Sequence, residues 1–193
     1  MKDILFFTNN YNKVREINNI FKNYQINILS LKDFNLNHSP IENGKTFAEN
    51  AKIKSLLGFN LTQLPCFADD SGICIEALND RPGVFSKKFL NSFKSRENCF
   101  NYISRKIKSK KNDKDFFKTS ICLTTKLNHH IIFEGKIDGK LSDKPKGKMG
   151  FGYDPIFIPE GYSKTFAEMR LSQKNLHSHR SIAIKKLVSF LFN

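Results

Sequence analysis

Residues 4–29, ILFFTNNYNKVREINNIFKNYQINIL, decide the fold. The apolar run Ile4-Leu5-Phe6-Phe7 ends at Thr8 and gives way to polar Asn9-Asn10-Tyr11-Asn12, and from Lys13 the apolar residues Val14, Ile17, Ile20 and Phe21 recur at helical spacing. The order is strand, tight loop, helix. Ile26-Asn27-Ile28-Leu29 reads as a second strand, so the chain opens with a βαβ unit and a parallel strand pair, the signature of an α/β fold.

Working outward, Asn43 to Phe59 carries a second amphipathic helix, with Phe47, Ala51, Lys54 and Leu57 on related faces. Two strands are expected next, around Cys66 to Asp69 and Ile73 to Leu78, before the turn Asn79-Asp80-Arg81-Pro82-Gly83, where Pro and Gly stop the pairing. Phe93 to Ile107 is a helix that dissolves into the basic stretch Arg105, Lys106, Lys108, Lys110, Lys111 and Lys114. Phe116 to Leu127 and His130 to Gly139 form a long hairpin rich in Thr, Ile and Phe. A glycine-punctuated loop, Lys146 to Pro155, leads into the strand Ile156-Phe157-Ile158. The last helix is capped by Ser178 and carries Ile184, Leu187, Val188 and Leu191 at i, i+3, i+4 and i+7. There is no internal repeat and no linker.

The chain has 193 residues, enough for one large domain or two small lobes sharing a core. At 39% hydrophobic, disorder is excluded as the main state. Lys and Arg number 32 against 18 acids, a formal charge of +14, which makes polyanions such as nucleotides, nucleic acid or acidic lipid the natural partners. Richness in Lys, Asn, Phe and Ile, whose codons are A/T-rich, offers a compositional explanation of the same charge. Cys66, Cys74, Cys99 and Cys122 are widely spaced, with no C-x-x-C, and read as small buried hydrophobes. The first apolar run is too short for a secretory signal, and no segment approaches the ~20 apolar residues that span a bilayer. A reduced, cytoplasmic enzyme or binding protein is the expectation.

Ser39 to Thr46 matches a P-loop except at its first position, where Ser39 replaces glycine, and no strand precedes it, so that reading is rejected. The loop after the first strand is better placed: it feeds a helix N-terminus, whose free N–H groups and positive dipole suit an anion held between Thr8, Asn10 and Lys13. The alternative is an ordinary βα loop with an exposed lysine. At the other end, Lys174, His177, His179 and Arg180 crowd the positive end of the last helix. Either a negative or strongly accepting group binds there, or His179 packs and Arg180 pairs with a distant carboxylate. Asp69-Asp70 ends an apolar strand and is followed by Ser71-Gly72; oxygen ligands of this kind favour Mg²⁺, and Glu42 supplies a second carboxylate. A turn satisfied by backbone amides is the competing reading of the acidic pair.

Taken together, these segments resemble the inosine/xanthosine triphosphate pyrophosphatases, which remove non-standard purine nucleotides. The matching pieces run from Phe7 to Leu187: Thr8-Asn9-Asn10-x-x-Lys13-x-x-Glu16, Glu42-Asn43-Gly44-x-Thr46-Phe47-x-Glu49-Asn50-Ala51, Asp69-Asp70-Ser71-Gly72, Arg81-Pro82-Gly83-Val84-x-Ser86, Gly150-Phe151-Gly152-Tyr153-Asp154-Pro155, Thr165-Phe166-Ala167-Glu168 and Lys174 to Arg180. The resemblance implies an elongated, two-lobed α/β fold with a central mixed sheet flanked by helices and a cleft between the lobes. It implies a single pyrophosphatase domain over residues 1–193, a homodimer, and Mg²⁺-dependent cleavage of ITP, dITP or XTP to the monophosphate and pyrophosphate. Asp70 would be the catalytic carboxylate and a metal ligand, with Glu42 the second ligand. Thr8, Asn9, Asn10, Tyr11, Asn12 and Lys13 would hold phosphates; Ser71, Phe151, Gly152, Tyr153, Asp154, Lys174, His179 and Arg180 would bind the rest of the nucleotide.

Two positions depart from the family pattern. Its phosphate loop usually reads Thr-Gly-Asn, and Asn9 stands for the glycine; asparagine tolerates left-handed backbone best among the other residues, so the loop survives the exchange. Lys88 stands where an arginine is usual, keeping the charge and losing the bidentate fork. Of the rival readings, nucleic-acid binding through Arg105 to Lys114 lacks interleaved aromatics and a known module. Against the septum-formation (Maf-type) pyrophosphatases, the Ser178-His179-Arg180 and Phe151 to Asp154 motifs favour the purine-selective family.

Overall fold

The computed structural model describes residues 2–22, 24–108 and 114–192. β1 (Lys2–Phe6), α1 (Tyr11–Phe21) and β2 (Ile26–Ser30) form the opening unit, with β1 and β2 parallel and Ile4 opposite Ile28. α1 starts before Lys13 because Asn10 caps it: the Asn10 side chain accepts from the N–H groups of Asn12 and Lys13. α2 (Phe47–Thr62) starts later than Asn43, where the sequence reading put it. A capping box fixes the boundary, with Thr46 Oγ1 accepting from Glu49 N–H and the Glu49 carboxylate accepting from Thr46 N–H.

β3 (Cys66–Ile75) is one strand where two were expected; Ser71-Gly72 stays extended, and a short 3-10 turn at Glu76–Leu78 follows. Nor does the proline stop the pairing. β4 (Arg81–Pro82) returns antiparallel on β3, with Cys74 opposite Pro82, after a turn in which Asn79 and Asp80 take φ of 54° and 59°. A two-residue strand on the side of the sheet tolerates the missing N–H. α3 (Ser86–Asn91) and α4 (Arg96–Lys108) follow, and then the hairpin of β5 (Asp115–Lys126) and β6 (His129–Leu141), turned at Asn128 with φ 66°. Arg105, Lys106 and Lys108 complement the C-terminal dipole of α4, while Lys110 and Lys111 of the basic run lie outside the described residues. β7 (Phe157–Pro159) pairs antiparallel with β6, α5 spans Leu171–His177, and α6 spans His179–Phe192. The strand order is β2-β1-β3-β5-β6-β7 with β4 on β3, a mixed sheet. Among the described residues no helix is long and apolar enough to cross a membrane.

Two compact units divide the chain: Met1–Asp70 with Thr119–Gly135 and Arg180–Asn193, and Ser71–Lys118 with Lys136–His179. In the first, strand alternation builds two cores. Ile4, Phe6 and Phe67 face Ile17 and Phe21 of α1 and Ala183, Ile184 and Leu187 of α6. Leu5, Phe7, Cys66 and Ala68 face the other way and pack with Phe59 of α2. Gly58 sets how close α2 comes, because a Cβ there would collide with Cys66 Sγ and the Phe7 ring. In the second unit, Ile73, Ile75 and Phe117 pack with Cys99, Phe100 and Ile103 of α4 and with Phe157 and Phe166.

Candidate active site

Alternation along β3 sends Asp69 and Asp70 to opposite faces, and each meets the helices already packed there. Asp69 shares its face with Phe67, beside α1 and α6. Lys13 Nζ donates to Asp69 Oδ1 at 2.9 Å, Arg180 Nε donates to Asp69 Oδ2 at 3.0 Å, and Arg180 Nη1 donates to Glu16 Oε2. The result is a chain of alternating charge, with Asp69, Arg180 and Glu16 buried.

Asp70 faces α2 instead. Asn50 and Lys54, one turn apart on that helix, both reach it: Asn50 Nδ2 donates to Oδ2 at 3.1 Å and Lys54 Nζ to Oδ1 at 3.4 Å. Lys54 Nζ also lies 3.4 Å from Glu42 Oε1, so the two carboxylates flank a single cation. This donor set fits Mg²⁺, which takes one or two carboxylates and completes its shell with water and substrate oxygen. Among the described residues there is no group of three or more His, Cys, Asp or Glu that could hold a metal ion.

The pKa values of the adjacent aspartates move in opposite directions. For Asp69 burial alone would raise the pKa, but Lys13, Arg180 and Lys54 together outweigh it and hold the carboxyl far below the usual range. For Asp70 burial wins, raising the pKa against the opposing pull of Lys54, Lys13 and the Asn50 hydrogen bond, with Glu42 adding to the rise. Burial likewise lowers the Lys13 pKa, with Asp69 resisting.

The β1–α1 loop is organised by its own side chains. Thr8 Oγ1 accepts from Asn10 N–H at 3.1 Å, Asn10 caps α1, and Tyr11 and Asn12 are exposed. Asn9 makes no use of its tolerance for left-handed backbone, since its φ is not positive. Its amide instead donates to the His38 carbonyl and to Ser39 Oγ, both at 2.9 Å, which holds the loop by side-chain contacts without a positive φ.

In the second unit, Gly150, with φ of 74°, opens a turn in which Phe151 N–H donates to Asp154 Oδ2 at 2.7 Å; a Cβ at Gly150 would strike that carboxylate. Lys174, 3% exposed, donates to the same oxygen at 2.6 Å and lies 4.8 Å from the Phe151 ring centroid. Gly152 has φ of 59°, and Ser71 is half-buried. Tyr153 is core: its hydroxyl donates to the Ser86 carbonyl at 2.8 Å. His179 stacks on Phe117 with centroids 4.6 Å apart. The crowded cations thus meet internal partners, Arg180 on Glu16 and Asp69 and Lys174 on Asp154, and Lys13 is half-buried on Asp69 rather than exposed.

Sequence reasoning passed over Lys54, Asn50 and Glu16 as functional groups. The signal for Lys54 was present, since a lysine on the apolar face of an amphipathic helix demands a carboxylate. Glu16 beside Ile17 is the mirror case.

Residues 4–190 match the model of the Ham1 family. The chain is 38% identical over 188 residues to a protein of Christiangramia forsetii named dITP/XTP pyrophosphatase, covering 97% of this chain and 98% of that one. It is 40% identical over 186 residues to a protein of the same name from Leptospira interrogans, covering 95% and 94%. The solved structure of a HAM1 protein from Coxiella burnetii superposes with a TM-score of 0.88 at 32% identity, covering 100% of this chain and 99% of that one. With the sequence match running from β1 to α6 and the whole fold shared, the chain belongs to the Ham1 family.

Proposed function

We propose that this protein hydrolyses the triphosphates of 6-oxo purines, ITP, dITP and XTP, to monophosphate and pyrophosphate. The observation that carries the reading is the divergence of Asp69 and Asp70, with Glu42 beside Asp70 at a shared cation. The names of the relatives support the substrate class.

Glu42 and Asp70 are the residues that would hold Mg²⁺, which when bound would neutralise phosphate charge and acidify water. Asp70 takes the proton of the attacking water as the water oxygen bonds to the α-phosphorus, and the bond from that phosphorus to the bridging oxygen breaks to release pyrophosphate. The positive end of the α1 dipole favours the phosphates, and Lys13 adds an ammonium whose three donors are not exhausted by Asp69. Thr8, Asn9, Asn10, Tyr11 and Asn12 shape that loop. Arg180, bonded to Glu16 and Asp69, fixes the charge behind Lys13.

The base is read by Lys174 and His179, with Ser71, Phe151, Gly152, Tyr153 and Asp154 shaping the place it occupies. A 6-oxo group accepts from such donors, whereas the 6-amino group of adenine is itself a donor and leaves them unpaired. The same proposal includes a homodimer, a single functional domain over residues 1–193 and a cytoplasmic location. The experiment is kcat/KM for ITP, XTP, GTP and ATP on the purified protein. ITP and XTP are expected to exceed ATP by about 10²-fold or more; equal values for ITP and ATP would overturn the base reading.

A further inference from the structure

Residues 35–46, between the short turn at Leu31–Phe34 and α2, contain no helix or strand, yet they carry Glu42. One end of this segment is held at His38 and Ser39, where the Asn9 amide donates to the His38 carbonyl and to Ser39 Oγ at 2.9 Å each. At the other end Gly44 N–H donates at 2.9 Å to Asn50 Oδ1, and the same Asn50 donates through Nδ2 to Asp70. Between these attachments lie residues 40–43. Four residues reach at most ~14 Å when extended, and the ring of Pro40 fixes one of their φ angles. Glu42 therefore sits on a short tether held at both ends, and its carboxylate meets Lys54 beside Asp70.

We propose that Asn9 is a positioning residue for the metal site: its amide ties residues 38–39 to the β1–α1 loop and so keeps Glu42 aimed at the cation it shares with Asp70. The proposal rests on the reading of Glu42 and Asp70 as ligands of a divalent ion. Both donors of the Asn9 amide are spent on the segment, and its backbone needs no left-handed residue, so the side chain is the part that acts. Alanine or glycine at position 9 preserves the loop backbone and releases the tether.

The test is a double-mutant cycle on the full chain with Mn²⁺ as the probe, read as direct binding by calorimetry or by the signal of free Mn²⁺ without nucleotide, together with the thermal midpoint. Glu42→Gln is expected to weaken Mn²⁺ binding, and Asn9→Ala to weaken it by about tenfold, as loss of a residue supporting a ligand does, with an unchanged midpoint. The double variant is expected to bind no more weakly than Glu42→Gln alone, and Asn9→Gly to behave as Asn9→Ala. Wild-type affinity in Asn9→Ala with Glu42→Gln weakened overturns the role of Asn9 and leaves Glu42 a ligand. Effects that multiply in the double variant show Asn9 acting elsewhere and overturn the proposal too. No effect of Glu42→Gln removes the ligand reading itself and the proposal with it.

Discussion

Asp70→Asn is expected to lower kcat by about 10²–10⁴-fold, the range for loss of a general base, while leaving the thermal midpoint at neutral pH equal to or above that of the wild type. The two halves of this expectation have one cause. Burial, the dominant influence on Asp70, disfavours its charged form and raises its pKa in the fold. A carboxyl whose folded pKa is raised binds its proton more tightly in the native state, so its stabilising contribution is complete below the unfolded value and is lost as pH rises through the folded one. At neutral pH the ionised Asp70 is held against a penalty that asparagine does not incur. The side chain keeps its shape and an oxygen able to accept from Asn50 or Lys54. Thermal melts beside initial rates check this, and a variant that retains most of the wild-type rate would remove Asp70 from the chemistry.

Asp69→Asn is expected to do the reverse, destabilising the fold by about 3–5 kcal/mol, the cost of breaking a buried ion pair. For a chain of this size that is a midpoint lower by about 6–20 °C. Lys13 and Arg180 both donate to this carboxylate, and without its charge a buried guanidinium keeps only part of its compensation. Because the folded pKa of Asp69 is depressed, its contribution is present above the unfolded value near 3.8 and is lost as pH falls from there toward the folded value. The gap between wild type and Asp69→Asn should therefore be wide at neutral pH and narrow in acid. Urea unfolding of both proteins at several pH values measures it; a gap that widens on acidification would contradict the assignment.

How much of this was legible in the sequence follows from the range over which each signal acts. The apolar run Ile4 to Phe7 is a local pattern, and it correctly announced the first strand of a parallel βαβ unit, which the structure covers on both faces. The capping box Thr46-x-x-Glu49 was equally local and marked the true start of α2, although the apolar spacing had suggested Asn43. β3 was split in two because Ser71-Gly72 resembles a turn when its neighbours in the sheet are unseen. Pairing with adjacent strands overrides that local preference, and the proline of β4 is accommodated for the same reason. For the candidate site, helix-end arguments singled out Lys13, Lys174 and Arg180, and the adjacent acidic pair singled out Asp70. They did not show that Asp69 joins Lys13 to Arg180, residues separated by most of the chain, or that Lys54 joins Glu42 to Asp70. Those partners are fixed by strand alternation and helix packing. Asn9 shows the limit most plainly, since a tolerance for left-handed backbone was inferred where a side-chain tether is used.

Phosphorus NMR of the products formed from dITP or XTP tests the proposed chemistry most directly. Attack at the α-phosphorus yields equimolar monophosphate and inorganic pyrophosphate, with no orthophosphate at early times. Nucleoside diphosphate appearing with orthophosphate would place the attack at the γ-phosphorus and contradict the roles given to Asp70, Glu42 and Lys13.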